Sequence, residues 1–438
     1  MNPSDIQSVI ERARAAGATA ADAAMSDSQA TTVSVRNGEV ETVEFQHDRD
    51  LHLSVYIGQR SGNANTSDLS EAGIQRAIDA AIAIAKATGE DACNGLAPAE
   101  RMATEFPDLD LNHPWDISVP EAIERAKACE AAALAVDARI KQSEGATLET
   151  RSGHQVYANS HGFVGERRGS NHYLSCSVIA QDAAGMQRDY EYSSARCAGD
   201  LLAPEWIGEQ ASRKALARLG SRRPPTGRFP VLFRSDVARG LWGHLLSAIS
   251  GGALYRKASF LLDKLGQPVC SSVVNLRQQP FIPRGSASSA FDHEGVATVE
   301  RDIVAGGVLQ SYALSSYSAR KLGMETTGNA GGIFNLVAQP TAGDLPALQA
   351  AMGTGLLVTE LMGQGVSTVT GDYSRGAAGF WIENGEIAYP VQEITIAGNL
   401  AAMLASIEAV GADQDCRGGV RTGSVWVPQM TVASAAAE

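Results

Sequence analysis

Val358 to Leu400 reads VTELMGQGVSTVTGDYSRGAAGFWIENGEIAYPVQEITIAGNL. Asn384-Gly385 sits at its centre, flanked by Phe380-Trp381-Ile382 and Ile387. Asn-Gly is a strong hairpin signal, because both turn residues must accept positive φ. The stretch is therefore expected to be two antiparallel strands. Upstream, after Gly251-Gly252, strands and glycine-rich turns are expected to continue. A helix precedes them, with Val237, Leu241, Leu245 and Ala248 on one face and Ser235-Asp236 as its N-cap. The C-terminal half thus reads as largely antiparallel β.

The N-terminal half mixes the two periods. Thr32 to Phe45 alternates around Asn37-Gly38, and Leu51, Leu53, Val55 and Ile57 are expected to form a third strand. Ile74, Ile78 and Ile82 share a helical face. Ser118 opens a second helix as a capping box with Glu121, and Pro120 stands near the first turn. Strands are expected over 147–192, broken at Asn159-Ser160-His161-Gly162 and at Ala183-Ala184-Gly185. A helix over 205–219 ends at Gly220. Ser221 to Gly227 (SRRPPTG) reads as a linker. The fold class expected is α+β. An N-terminal domain spans 1–220, with two subdomains (1–115 and 116–220) as an alternative. A linker occupies 221–228, and a β-rich domain 229–438.

Composition bounds the function. The chain has 438 residues, too many for one ordinary core. Its net charge is −13, whereas nucleic-acid binding draws on a basic excess, so no nucleic-acid partner is expected. The basic cluster Arg222, Arg223 and Arg228 falls in the linker. Six cysteines without a C-x-x-C pair suit free thiols in a reducing compartment. Met1 to Gly17 has no apolar segment of a signal peptide, and no run of 18 apolar residues occurs, so no membrane partner and a cytoplasmic location are expected.

The common catalytic patterns are absent: no G-x-x-x-x-G-K-S/T phosphate loop, no G-x-S-x-G elbow and no H-E-x-x-H. Four weaker candidates remain. Ser318 and Lys321 match S-x-x-K, in which a desolvated lysine activates a serine, or a solvent-facing helical turn. His172 and Cys176 share a strand face and read as metal ligands or as a buried thiol beside a bonded histidine. Asp292-His293-Glu294 reads as an acid/base cluster or a turn. Gly371 to Gly379 reads either as a loop whose Arg375 anchors a carboxylate, or as a tight turn with an Arg–Asp pair.

Three long strings carry more information: Gly240–Phe260 (GLWGHLLSAISGGALYRKASF), Ser311–Gly332 (SYALSSYSARKLGMETTGNAGG) and Val358–Leu400. With them, the chain resembles the TldD/PmbA peptidase family, specifically its PmbA (TldE) branch. The resemblance covers nearly the whole chain and is strongest after residue 240. It implies a two-lobed fold and a dimer enclosing a cavity. It also implies a heteromeric metallopeptidase in which a TldD-like subunit carries zinc on H-E-x-x-x-H plus a late cysteine. With Arg256-Lys257 as the anchor, those positions fall on Gly243, His244, Ala248 and, for the cysteine, near Thr422. None is the required residue. No catalytic residue and no metal or other cofactor are therefore expected in this chain. Zinc is expected in the partner, a TldD-like paralogue. Whether a homodimer forms when that partner is missing stays open, and unfolded peptides are the expected substrate. His244, Tyr255, Arg256, Asp372, Tyr373, Ser374, Arg375 and Gly376 are the candidates for lining the cavity. Two other readings stay open: a homodimeric peptide-binding scaffold without proteolytic activity, and an autonomous hydrolase using Ser318 and Lys321 or another site.

Overall fold

The computed structural model describes residues 3–183 and 185–434, apart from the side chain of Pro3. Ala184, within one of the expected strand breaks, lies outside them. The first half runs α1 (Pro3–Ala15), β1 (Ala20–Arg36), β2 (Glu39–Ile57), β3 (Arg60–Thr66), α2 (Glu71–Ala87), α3 (Val119–Ala135), β4 (Ile140–Asn159), β5 (Val164–Asp182), β6 (Gly185–Ala195) and α4 (Pro204–Ala217). Its six strands form one antiparallel sheet in the order β3-β2-β1-β4-β5-β6.

Alternation decides which face of that sheet is covered. Along β5, Leu174, Cys176, Val178 and Ala180 are buried while their neighbours are not, the period of two that a half-buried strand shows. Two apolar clusters cover that face. Ile6 and Val9 of α1 join Ile78 and Ile82 of α2 against Leu51 and Leu53. Ala126 and Cys129 of α3 join Ile207 and Ala211 of α4 against Leu148 and Leu174. Ser118 caps α3, its hydroxyl accepting the Glu121 N–H at 3.3 Å.

The β1–β2 turn has Asn37 at φ 53° and Gly38 at φ 75°, the left-handed pair that a tight hairpin requires. The expected third strand, however, is the far end of β2. Residues between Phe45 and Leu51 contain neither glycine nor proline, and every one of them pairs with β1, so the strand runs through. Glu39–Asp50 is polar because nothing packs on it: every residue there is exposed, and β3 pairs only from Leu51 onward. It is an open sheet edge.

The second half runs β7 (Gly227–Phe233), α5 (Ser235–Ala248), α6 (Gly251–Tyr255), β8 (Leu276–Gln278), β9 (Arg301–Ala305), β10 (Val308–Leu309), α7 (Ser316–Lys321), β11 (Leu336–Ala338), α8 (Leu345–Met352), β12 (Gly355–Met362), β13 (Asp372–Glu383), β14 (Glu386–Asn399), α9 (Leu400–Ala405), β15 (Ala409–Val410), β16 (Val420–Arg421) and β17 (Val425–Ser434). One sheet has the order β14-β13-β12-β7-β17-β15, and β14 also pairs with β17, so five of its strands close on themselves. Closure removes the free edges of these five strands. A smaller sheet follows the order β10-β9-β8-β11-β16. Pairing is antiparallel except at β7–β12 and β11–β16, as the α+β reading predicts. Asn384 and Gly385, at φ 53° and 82°, turn β13 into β14.

Two local expectations change. The cap of α5 is Arg234, not Ser235 or Asp236; the Asp236 carboxylate instead receives the Arg234 guanidinium through two bonds of 2.7 Å. The segment joining α4 to β7 is tied down, with the Arg222 N–H donating to Pro390 O at 2.8 Å. Among the described residues no helix is long and apolar enough to cross a membrane.

Arginines join the two halves. Arg320 of α7 donates to the carbonyls of Cys93 and Gly95 at 3.1 and 3.0 Å, and also to that of Leu96. Arg284 bridges Asp110 and Asp200 at 2.6 and 2.8 Å. Arg417 reaches back to Glu191 at 2.7 Å.

Candidate functional site

The sequence directs attention to α5 and β13, and the fold packs them together. Leu241, Trp242, Leu245 and Ala248 turn the apolar face of α5 into the core, which leaves Gly240, Gly243 and His244 on the outer side. A Cβ added at Gly240 or Gly243 would meet nothing within 4 Å, so open space borders the helix there.

On β13, alternation places Tyr373, Arg375 and Ala377 on one face and Asp372 and Ser374 on the other. Gly371 to Gly379 is therefore neither a loop nor a tight turn. Only Gly371, at φ 81°, has turn geometry, and Asp372 pairs with the Thr370 hydroxyl at 2.7 Å rather than with Arg375. Its later glycines serve close strand packing: a Cβ at Gly379 would lie 1.9 Å from Leu357 O. Asp372 and Ser374 face solvent, and Gly376 is half-buried.

Tyr373 is buried, and its ring meets the His244 imidazole edge to face at 6.0 Å. Burial pushes the Tyr373 phenol up to about 12, against the lowering effect of Arg375. Burial also lowers His244 below the ordinary imidazole value, and the Arg375 charge lowers it further. A depressed folded value means that His244 is neutral at pH 7. Its contribution to stability is then present above the unfolded imidazole value and lost as pH falls through the folded one. An imidazole NMR titration should place the His244 midpoint below 6.5. Arg375→Gln should move that midpoint upward, and no upward movement would show that the arginine charge does not reach the ring.

Tyr255 and Arg256 belong to a different cluster. The Tyr255 ring packs edge-on against Tyr317 at 5.8 Å, and Arg256 stacks over Tyr255 at 5.3 Å. Tyr317 Oη and Lys321 Nζ both bind Asp91, at 2.9 and 2.8 Å. The bonds to Lys321, Cys93 and Tyr317 hold Asp91 down at about 2, and Asp91 in turn raises Lys321. Lys321 is thus a charged partner of Asp91 and not a base for Ser318. Ser318 is buried in the capping box of α7, donating to Ser315 O at 3.1 Å. The S-x-x-K pattern has sent its two residues to different partners.

The other weak candidates are structural. His172 bonds Thr150 Oγ1 and His113 O, both at 2.9 Å, while buried Cys176 lies four residues further along the strand and neighbours Cys129. Asp292 accepts the N–H groups of Glu294 and Val296 at 2.8 and 3.0 Å, which closes a turn through Gly295.

The resemblance would place the zinc motif on Gly243, His244, Ala248 and, for the cysteine, near Thr422, and the side chains found there do not fit a zinc ion. Gly243 and Ala248 offer no donor atom. Thr422 is fully buried, and its hydroxyl accepts the Trp242 indole N–H at 2.9 Å and donates to Gly423 O at 2.9 Å. A tetrahedral site needs three protein ligands at least, and His244 supplies one. Among the described residues no group of three or more His, Cys, Asp or Glu is placed to hold a metal ion.

Sequence reasoning missed what lies beside Arg375. A cavity of about 520 Å³ opens between β6, α4, α5, β12 and β13. Arg188, Lys214, Arg218, Arg239 and Arg417 join Arg375 along its wall. These residues come from separate elements, so no spacing in the sequence announces them.

Models of the three PmbA/TldA metallopeptidase domains match the chain: domain 1 over 21–85, the central domain over 112–219 and the C-terminal domain over 226–434. A Metalloprotease PmbA homolog of Haemophilus influenzae is 49% identical over 97% of this chain and 94% of its own length. Metalloprotease PmbA of Escherichia coli is 48% identical over 94% and 92%. The Metalloprotease TldD homolog of Haemophilus influenzae is 23% identical over 86% and 82%. Among solved structures, a Bacteroides thetaiotaomicron protein described as a candidate modulator of DNA gyrase superposes with a TM-score of 0.94 at 29% identity, covering 99% of both chains. TldE of Thermococcus kodakarensis shares the fold, with a TM-score of 0.87 at 21% identity over 98% and 100%.

Proposed function

The chain belongs to the PmbA (TldE) branch of the PmbA/TldD metallopeptidase family, and from that premise we propose that it is the metal-free subunit of a two-chain peptidase whose zinc is held by a TldD-like partner. One observation carries the reading. The positions aligned with the zinc ligands hold two residues without donor atoms, and a threonine whose hydroxyl is buried and spent on Trp242 and Gly423. Such a chain contributes walls and binding groups to a chamber, while the partner's metal activates the water that cuts the peptide.

The open β2 edge supports a heteromeric pairing. Glu39–Asp50 exposes unpaired backbone together with Val40, Val43 and Phe45. The edge is acidic, with Glu39, Glu41, Glu44, Asp48 and Asp50 against a single arginine, Arg49, so a second copy paired on it would crowd carboxylates along the seam, and like charges across a strand pair are unfavourable. A different, less acidic chain meets no such penalty. Homologues named PmbA and TldD also occur together in Haemophilus influenzae. The substrate is an extended, unfolded peptide, whose backbone can add to a sheet edge with little regard for sequence.

The test mixes this chain with a TldD-like chain and follows cleavage of an unstructured peptide alongside zinc content. Activity and zinc are expected only in the mixture, with the zinc travelling with the partner on separation. Ser318→Ala should leave that activity unchanged. Cleavage by this chain alone in the presence of a chelator would overturn the proposal and favour an autonomous hydrolase.

A further inference from the structure

The cavity between β6, α4, α5, β12 and β13 has an uneven charge balance. Seven cationic side chains line it against four carboxylates, in a chain whose net charge is −13. Each of the four acids is already engaged. Arg218 holds Asp189 at 3.4 Å and Glu360 at 2.7 Å. Glu191 receives Lys214 and Arg417, both at 2.7 Å. Asp236 is bound by Arg234. Arg188 is paired outside the cavity, with Glu144.

Two cations are left over. Among the described residues neither Arg239 nor Arg375 forms an ion pair with a carboxylate. Arg239 donates to the Tyr192 hydroxyl at 3.3 Å and feels the charge of Asp415, but that carboxylate is already bound by Arg417 at 2.9 Å. Arg375 neighbours the Tyr373 phenol, but its Nε is buried without an acceptor. A buried donor left unpaired is costly, and an incoming oxygen would remove that cost. Gly240 lies on the same wall, where no Cβ stands in the way of a ligand's backbone.

We propose that this cavity receives a carboxylate of the peptide substrate, with Arg239 and Arg375 as the groups that bind it. The inference rests on the peptidase-subunit reading for its choice of ligand, since guanidinium groups also suit phosphate. Planar guanidinium forks match a carboxylate with paired hydrogen bonds, so arginine is the residue type the task needs. The volume is that of a pocket able to take the last residues of a peptide rather than a lone ion. The carboxylate is either the C-terminus or an acidic side chain near it.

The experiment measures binding of fluorescent unstructured peptides to the intact chain by anisotropy, with no partner and no turnover required. Four peptides of one backbone sequence are compared: free acid or C-terminal amide, each with or without a penultimate glutamate. At least one carboxylate-bearing peptide should bind about tenfold more tightly than the neutral amide, the size expected for one charge-assisted contact. Preference for the free acid assigns the terminus, and preference for glutamate assigns the side chain. Arg375→Gln and Arg239→Gln should each erase the preference while leaving thermal melting intact, and Arg375→Lys should restore only part of it. Equal binding of all four peptides, or no binding of any, overturns the proposal, and the wild-type comparison decides this even if a variant fails to fold. Inorganic phosphate that competes while the acid peptides do not would assign the cavity to phosphate instead. If the two-chain mixture cleaves peptides but no carboxylate preference exists, only this inference falls. If the mixture is inert, the subunit reading falls with it.

Discussion

Trp242→Ala should unfold the C-terminal half well before the rest of the molecule is challenged, with a loss of about 3–5 kcal/mol. Trp242 is the bulkiest of the fully buried side chains, and it packs in the main apolar cluster with Phe233, Leu245 and Val427. Removing the indole leaves a cavity that the surrounding strands cannot collapse into, because five of them form a closed sheet. A second cost follows. Thr422 Oγ1 loses the indole N–H it accepts at 2.9 Å and keeps only its own donation to Gly423 O. Thr422→Val keeps the volume nearly constant but strands the Trp242 indole N–H and takes a donor from Gly423 O, and should cost about 1–2 kcal/mol. Denaturant melts of the two variants check the ranking. A Trp242→Ala loss no larger than that of Thr422→Val would show that the indole contributes mainly its hydrogen bond. The comparison also bears on the proposed function, which places the thiolate of a zinc-bearing relative near Thr422.

Glu130→Ala should cost about 3 kcal/mol and loosen the β1–β2 hairpin, since two charge-assisted bonds are lost at once. Glu130 lies on α3 and is 1% exposed, an unusual place for a carboxylate. It is tolerated because its two oxygens accept the Asn37 and Gly38 N–H groups at 2.8 and 2.7 Å. One buried side chain thus pins the turn from beneath. Glu130→Gln keeps one acceptor and should lose about half as much. Hydrogen exchange at Asn37 and Gly38 should accelerate in the alanine variant. If the β2 edge carries the partner, affinity for the TldD-like chain should fall together with that protection. Unchanged exchange at the two amides would show that the turn holds itself, and unchanged partner affinity would move the docking surface elsewhere.

The tight turns were legible from residues alone. Asn37-Gly38 and Asn384-Gly385 are short-range signals whose backbone demands do not depend on the rest of the chain. The same is true of the helical faces Ile74, Ile78, Ile82 and Val237, Leu241, Leu245, whose period records one-sided burial. Family resemblance added which positions lack zinc ligands. Local signals failed where a tertiary partner competes. Ser235 and Asp236 look like a cap, but Arg234 claims the aspartate. Gly371 to Gly379 looks like a loop, but its glycines let β13 approach β12 and its partner strand. The polar run 46–50 looks like a break and is an unpaired edge.

The sequence by itself therefore determined the α+β class, the hairpins and the amphipathic helices. Those properties depend on side-chain type and on spacing along one element. Only the tertiary structure decided that Ser318 and Lys321 part company, that Glu130 anchors a turn more than ninety positions away, and that Arg239 and Arg375, in a shared cavity, form no ion pair among the described residues. Each of these is a statement about which distant groups meet. Charge pairing in a folded chain depends on closing loops between elements, and no period or motif encodes which arginine will find a carboxylate and which will be left to wait for a ligand.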